Sequence, residues 1–198
     1  MENNNRKKLH LGCGRMILNG WINLDKMNLP GVDVAADLDD CKNTPLPFED
    51  DSIDEMLCSH TIEHLQNTLP FMEELYRIAK PDATAIFLVP YGSSDAAFED
   101  PTHVRPYFLH SFEYFSQPCY WRADYGYRGD WQVDKIDLLI NEKPRPDMRV
   151  EEYLYEISRL RNTILEMTVR LHAVKPVREP KKEFEITPKV TVMFQKKE

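Results

Sequence analysis

Lys8-Leu9-His10-Leu11-Gly12-Cys13-Gly14 is the stretch on which the reading of this chain turns. A short apolar run that stops at a Gly-x-Gly pair predicts a strand ending in a tight turn. Glycines there let backbone N–H groups come close to a ligand that larger side chains would hold away. Working outward, Trp21 to Leu24 reads as a second strand ending at Asp25, and Val32 to Ala36 as a third ending at Asp37. Ser52 to Ser59 contains a fourth, and Thr84 to Val89 is a fifth. Between the last two, a helix is expected from about Leu69 to Lys80. Thr68 would cap it, Pro70 fits its first turn, and Met72, Leu75, Tyr76 and Ala79 would point inward.

Acidic residues at the ends of successive strands, with crossovers between them, predict an α/β fold. The expected form is a doubly wound, Rossmann-like, mostly parallel sheet of about seven strands. In such sheets ligands bind beyond the carboxyl ends of the strands. Gly12, Gly14, Asp25, Asp37, Ser59 and His60 should converge on that edge.

The C-terminal third is less regular. Trp131 to Ile140 and Phe184 to Phe194 read as strands, expected as an antiparallel pair closing the sheet. Between them, Val150, Tyr153, Ile157, Leu160, Ile164, Met167 and Leu171 step by three and four residues. That heptad spacing predicts a long inserted helix over 150–172, packed on its own domain or serving as a homodimer seam or lid. Pro-rich segments at Lys143 to Asp147 and Pro176 to Pro180 would be its hinges. Residues 143–180 thus form an inserted segment within a single domain spanning 1–198.

The chain has 198 residues, of which 42% are hydrophobic and 29% charged, values of an ordinary globular domain. A net charge of -8 argues against a nucleic-acid partner, since nothing neutralises a phosphate backbone along a broad face. The polar start, Met1 to Lys8, lacks the apolar core of a secretory signal, and no stretch reaches the ~18 apolar residues of a membrane span. Cys13, Cys41, Cys58 and Cys119 are scattered, so reduced thiols in a cytoplasm are the expectation.

The dinucleotide fingerprint needs a third glycine where Ile17 stands and an acidic residue about twenty positions on. Asp25 follows after about half that distance, which argues against NAD, and no Gly-Lys-Ser/Thr triplet signals a P-loop. His60-Thr61-Ile62-Glu63-His64 spells the inverted zinc-peptidase signature. It follows a strand and a turn rather than opening a helix, so no metal is expected and a zinc hydrolase is the lesser alternative.

Leu9-His10-Leu11-Gly12-Cys13-Gly14, Gly20-Trp21-Ile22-Asn23-Leu24-Asp25 and Ala36-Asp37-Leu38, taken in order, resemble class I S-adenosylmethionine-dependent methyltransferases of the compact methyltransferase-domain type. Leu46 to Asp54 and Ser59 to His64 continue the resemblance, which covers roughly residues 8 to 115. It implies methyl transfer from S-adenosyl-L-methionine to a hydroxyl or amine of a small-molecule or glycan acceptor. It also implies that Gly12 and Gly14 pass under the methionine and ribose, and that Asp25 accepts the ribose hydroxyls. Asp37 and Leu38 would meet the adenine edge, and Ser59 and His60 would line the sulfonium side. His10 takes a cofactor position where relatives usually carry an acidic residue, and Met16 replaces the usual third glycine. Those two departures leave a non-catalytic, methyltransferase-like partner subunit as the alternative.

After the fifth strand, the aromatic-rich stretch Asp95 to Tyr107 is expected to overhang the methyl group; the resembling subgroup has a similar Asp-Pro-Thr-His-x-Arg stretch here. His103 is the candidate base, because histidine titrates near neutrality. Arg105 would hold a carboxylate or phosphate through its planar fork, and Tyr107 and His110 would contact the acceptor.

Overall fold

The computed structural model describes residues 6–141 and 148–195; the proposed hinge at Lys143 to Asp147 lies outside them. The strands are β1 (Lys8–Leu11), β2 (Ile22–Asp25), β3 (Val34–Ala35), β4 (Ile53–Ser59), β5 (Ala79–Pro90), β6 (Trp131–Ile140), β7 (Ile164–Ala173) and β8 (Lys189–Phe194). The helices are α1 (Thr68–Ile78), α2 (Ala96–Glu99) and α3 (Val150–Ile157). All eight strands join one sheet in the order β3-β2-β1-β4-β5-β7-β6-β8. Only β7 runs against its neighbours β5 and β6; every other pairing is parallel. The Rossmann-like, mostly parallel sheet is therefore present, with eight strands in place of about seven.

Two expectations for the C-terminal third are corrected. The expected helix over 150–172 is the eight-residue α3 followed by β7, with Asn162 in the left-handed region (φ 58) between them. Chain reversal at Asn162 returns β7 into the sheet beside β5, where its carbonyls and amides are consumed by ladder bonds. With no long helix there, the proposed dimer seam loses its basis. The second correction concerns β6 and β8, which pair in parallel; the antiparallel partner of β6 is β7.

Burial alternates along the central strands. Met56 and Cys58 of β4, Ala85, Phe87 and Val89 of β5, and Met167, Val169 and Leu171 of β7 are buried on one face. That face is covered by α1, α3 and an aromatic segment running from Tyr107 to Tyr127. Phe112 packs on Phe87 and Tyr107, both at 5.1 Å between ring centroids. Trp131 Nε1 donates to the Met72 carbonyl at 3.1 Å and so pins α1 to β6, while Tyr153 of α3 packs on Phe194. The buried stripe of α1 is Phe71, Met72, Leu75 and Ile78, close to the expected one. Its cap residue is Asn67; Thr68 is the first helical residue, and its hydroxyl accepts from Arg105.

The opposite face differs. Leu57, Ile86, Leu88, Thr168 and Leu139 are only half-buried there. At β1 and β2 the turn between the strands covers that face. Asn23 binds both the amide and the carbonyl of Leu18, at 2.9 and 3.1 Å. No helix among the described residues is long and apolar enough to cross a membrane.

Candidate active site

The first turn is held from three sides. Gly12 adopts φ +65, and a Cβ there would meet the Thr61 side chain at 2.3 Å, so only glycine lets the turn after β1 pack against the segment after β4. Gly14 (φ +52) has open space where its Cβ would lie. Its N–H donates to Asp25 Oδ2 at 2.7 Å, and Met27 N–H donates to Asp25 Oδ1 at 2.8 Å. Each carboxylate oxygen thus spends one lone pair on a backbone amide and keeps another, with the group fixed at the tip of β2. The Asp25 carbonyl accepts from Ala36 N at 3.0 Å, which brings the tip of β3 alongside.

Beyond it, Asp37 caps a 3₁₀ turn (Leu38–Asp40) by accepting from Asp39 N at 3.1 Å, and it pairs with Lys26 at 2.6 Å. That Lys26 contact holds the Asp37 carboxyl below the usual range. Leu38 is buried beneath it. Gly12, Gly14, Asp25, Asp37 and Leu38 therefore occupy one continuous edge. Beside that edge Met16 and Met27 stand 73% and 61% exposed, an apolar rim of the kind a bound ring covers.

His10 behaves differently. It is buried on the face away from the main core, with Nδ1 3.4 Å from Asn23 Oδ1, and burial lowers its pKa. It lies beneath the turn, against Asn23, and not at the strand tips where the sequence led us to expect it. Ser59 is half-buried at the end of β4. His60 follows with φ 49, its ring between Glu63 (3.5 Å) and Glu166 (3.4 Å). The Glu63 carboxylate raises the His60 pKa above its ordinary value; burial opposes that rise, and Glu166 reinforces it. Ile62–His64 is a single 3₁₀ turn, so His60 and His64 do not share a helix face as a zinc peptidase would require.

Arg105, Tyr107 and His110 line one cavity of about 840 Å³. Its walls come from segments that follow β4 (Asn67 to Pro70) and β5 (Tyr91, Tyr114, Tyr120, Tyr125). Gly92 N donates to the Tyr107 carbonyl at 2.6 Å, which ties the lining loop to the end of β5. Asn67 links the cavity to the turn after β3: its amide and side chain bind Asp39 at 2.7 and 3.0 Å. Burial pushes the Tyr107 hydroxyl up, beyond the usual phenol range.

His103 does not line this cavity. Its side chain is 9% exposed, Nδ1 donates to the Ala97 carbonyl at 3.2 Å, and its ring stands edge-on to His64 at 4.7 Å. Its proximity to Glu63 and His64, which lie 39 or more positions earlier in the chain, carried no signal in the sequence.

The sheet thus carries one antiparallel strand between parallel neighbours, with a glycine turn and two aspartates at its first three tips. Residues 9–87 match the sequence model of the family described as "Methyltransferase domain". Over that stretch the chain is similar to methyltransferase domains. No curated protein matches. Solved structures share the fold. An S-adenosylmethionine-dependent methyltransferase of Archaeoglobus fulgidus is 17% identical, with a TM-score of 0.53, over 84% of this chain and 86% of that one. One of Thermotoga maritima, described as a possible histamine N-methyltransferase, is 14% identical with a TM-score of 0.52 over 85% and 82%. The Bacillus subtilis protein YcgJ is 14% identical with a TM-score of 0.52 over 85% and 92%.

Proposed function

We propose that this protein methylates a hydroxyl or amine on a small-molecule or glycan acceptor that has a ring or apolar body and an anionic substituent. The observation supporting this most is the aromatic cavity of about 840 Å³ beside the strand tips, whose lining includes one guanidinium, Arg105. In this reading the remaining lone pairs of Asp25 accept the ribose hydroxyls, and Gly12 and Gly14 pass beneath the methionine and ribose. Asp37 and Leu38 meet the adenine edge, and Ser59 and His60 flank the sulfonium. Arg105 pairs with the anionic group of the acceptor in a planar, two-point contact. Tyr107 and His110 border the bound ring.

The cofactor supplies an already activated methyl group, so what the chain contributes is alignment. Its aromatic walls exclude water and hold the acceptor in line. Proton removal is not assigned to His103, whose ring is nine-tenths buried and outside the cavity.

Calorimetry with S-adenosylmethionine and S-adenosylhomocysteine tests the cofactor half. Asp25→Ala should weaken binding at least tenfold, since hydrogen bonds to a charged group are worth about 1.5–3 kcal/mol. Unchanged affinity would remove Asp25 from the site. For the acceptor half, methyl transfer to fractionated small molecules should be followed by mass spectrometry of the product. Arg105→Met should raise KM for an anionic acceptor while leaving cofactor affinity intact. A product without an anionic group sinks the proposed substrate class.

A further inference from the structure

We propose that Glu63, His64 and His103 form a divalent transition-metal site, best suited to Zn²⁺. Each offers one donor atom, and the three donors lie within 4.8 Å of one another. Glu63 carries the argument. Its side chain is 3% exposed, and neither carboxylate oxygen has a hydrogen-bond partner. A buried carboxylate without a donor is costly to leave unmatched, and a cation is one of the few groups that answers both oxygens at once. His60 Nδ1 stands at ion-pair distance, 3.5 Å from Oε1, but leaves both oxygens without a hydrogen bond.

The two histidines are arranged as ligands are. The Thr102 hydroxyl donates its one proton to Asp100 Oδ1 at 2.6 Å, so its oxygen accepts from His64 Nδ1, 2.9 Å away. His103 Nδ1 donates to the Ala97 carbonyl. In both rings Nδ1 therefore carries the hydrogen and Nε2 the lone pair. Metal-binding histidines show this pattern: an outer oxygen acceptor fixes tautomer and ring direction. Asp100 Oδ2 stands 3.9 Å from His103 Nε2, too far for a hydrogen bond, and adds a second negative charge beside the cluster.

Two imidazole nitrogens and one carboxylate oxygen suit zinc, which takes such donors at about 2.0–2.2 Å and leaves a fourth position for water. Donors around a tetrahedral ion of that size lie roughly 3.4 Å apart, so a contraction on the order of 1 Å closes the site. The ion would clamp the 96–105 loop onto the turn after β4, the same turn whose Thr61 packs on Gly12. A metal-bound His103 has no lone pair left to accept a proton. The site rests on its own geometry and not on the identity of the acceptor.

The test uses the full chain, stripped with a chelator and titrated with Zn²⁺ in competition with a chromogenic chelator. One equivalent should bind, and the thermal midpoint should rise as the protein loads. Glu63→Gln and His64→Gln should each weaken binding at least tenfold, whereas His172→Gln, outside the cluster, should not. Circular dichroism of each variant establishes that it is folded. Absence of stoichiometric binding overturns the proposal, as does full affinity in folded Glu63→Gln and His64→Gln proteins. Should either variant fail to fold, Co²⁺ added to the wild-type chain decides: strong visible bands of a four-coordinate nitrogen–oxygen site support it, and their absence overturns it. Cofactor affinity, measured in parallel, keeps this result separate from the methyltransferase reading.

Discussion

A single buried imidazole shows how much one residue can govern. His10 is 4% exposed beneath the glycine turn, and burial keeps its pKa below the ordinary value near 6.5. As pH falls through that value, the unfolded chain takes up a proton that the folded chain refuses. Stability from this residue is thus complete above about pH 6.5 and declines below it. Denaturant unfolding of wild type and His10→Gln from pH 7.5 to 5 should show the wild type losing more stability, and parallel curves would contradict the shift. The positions of Gly12, Gly14, Asp25 and Asp37 at strand tips were legible in the sequence because each closes or follows a short apolar run. His10 was misplaced because strand alternation, which decides its side, cannot be distinguished from ligand contact in one sequence. The trio of Glu63, His64 and His103 was illegible because loop closure alone brings His103 to the turn after β4.

At the scale of elements, β1 to β5 and α1 were readable, whereas β7 was mistaken for helix. Ile164, Met167 and Leu171 satisfy a three-and-four spacing, but Met167, Val169, Leu171 and Ala173 also alternate, and all four are buried. The β-branched Ile164, Thr168 and Val169 were the overlooked signal, since their stiff side chains suit a pleated surface. Asn162, in its left-handed conformation, ends any helical continuation. Position in the sheet makes a quantitative expectation. Met167→Ala, fully buried between β5 and β6, should cost about 2–5 kcal/mol in urea unfolding. Arg170→Ala on the exposed side should stay within about 0.5 kcal/mol. Equal effects would mean that β7 is not ordered as described.

For the whole molecule, one ion pair connects distant parts of the chain. Asp130, fully buried, accepts from Arg178 N at 3.0 Å, from its Nε and Nη2 at 2.8 Å, and from Gln117 N at 3.1 Å. Arg178 also reaches Gln132 and Ser116. The segment before β8 is thereby tied to the aromatic segment that walls the cavity lined by Arg105. Arg178→Ala strands the Asp130 carboxylate and should cost about 3–5 kcal/mol. Arg178→Lys should recover little, because one ammonium cannot replace a fork bonded to three side chains. Thermal unfolding of both variants measures this, and a lysine variant of wild-type stability would show that charge alone suffices.

The uneven burial of the two sheet faces gives its strands a parity. Along β5, Phe87 is sealed in the core, whereas its neighbours Ile86 and Leu88 look out of the opposite face and are only half-buried. Odd-numbered positions there should reject polar replacements and even-numbered ones accept them. A saturation scan of 84–89 would then read as a two-beat pattern of loss and indifference, where a strand packed on both sides yields an unbroken block of intolerance.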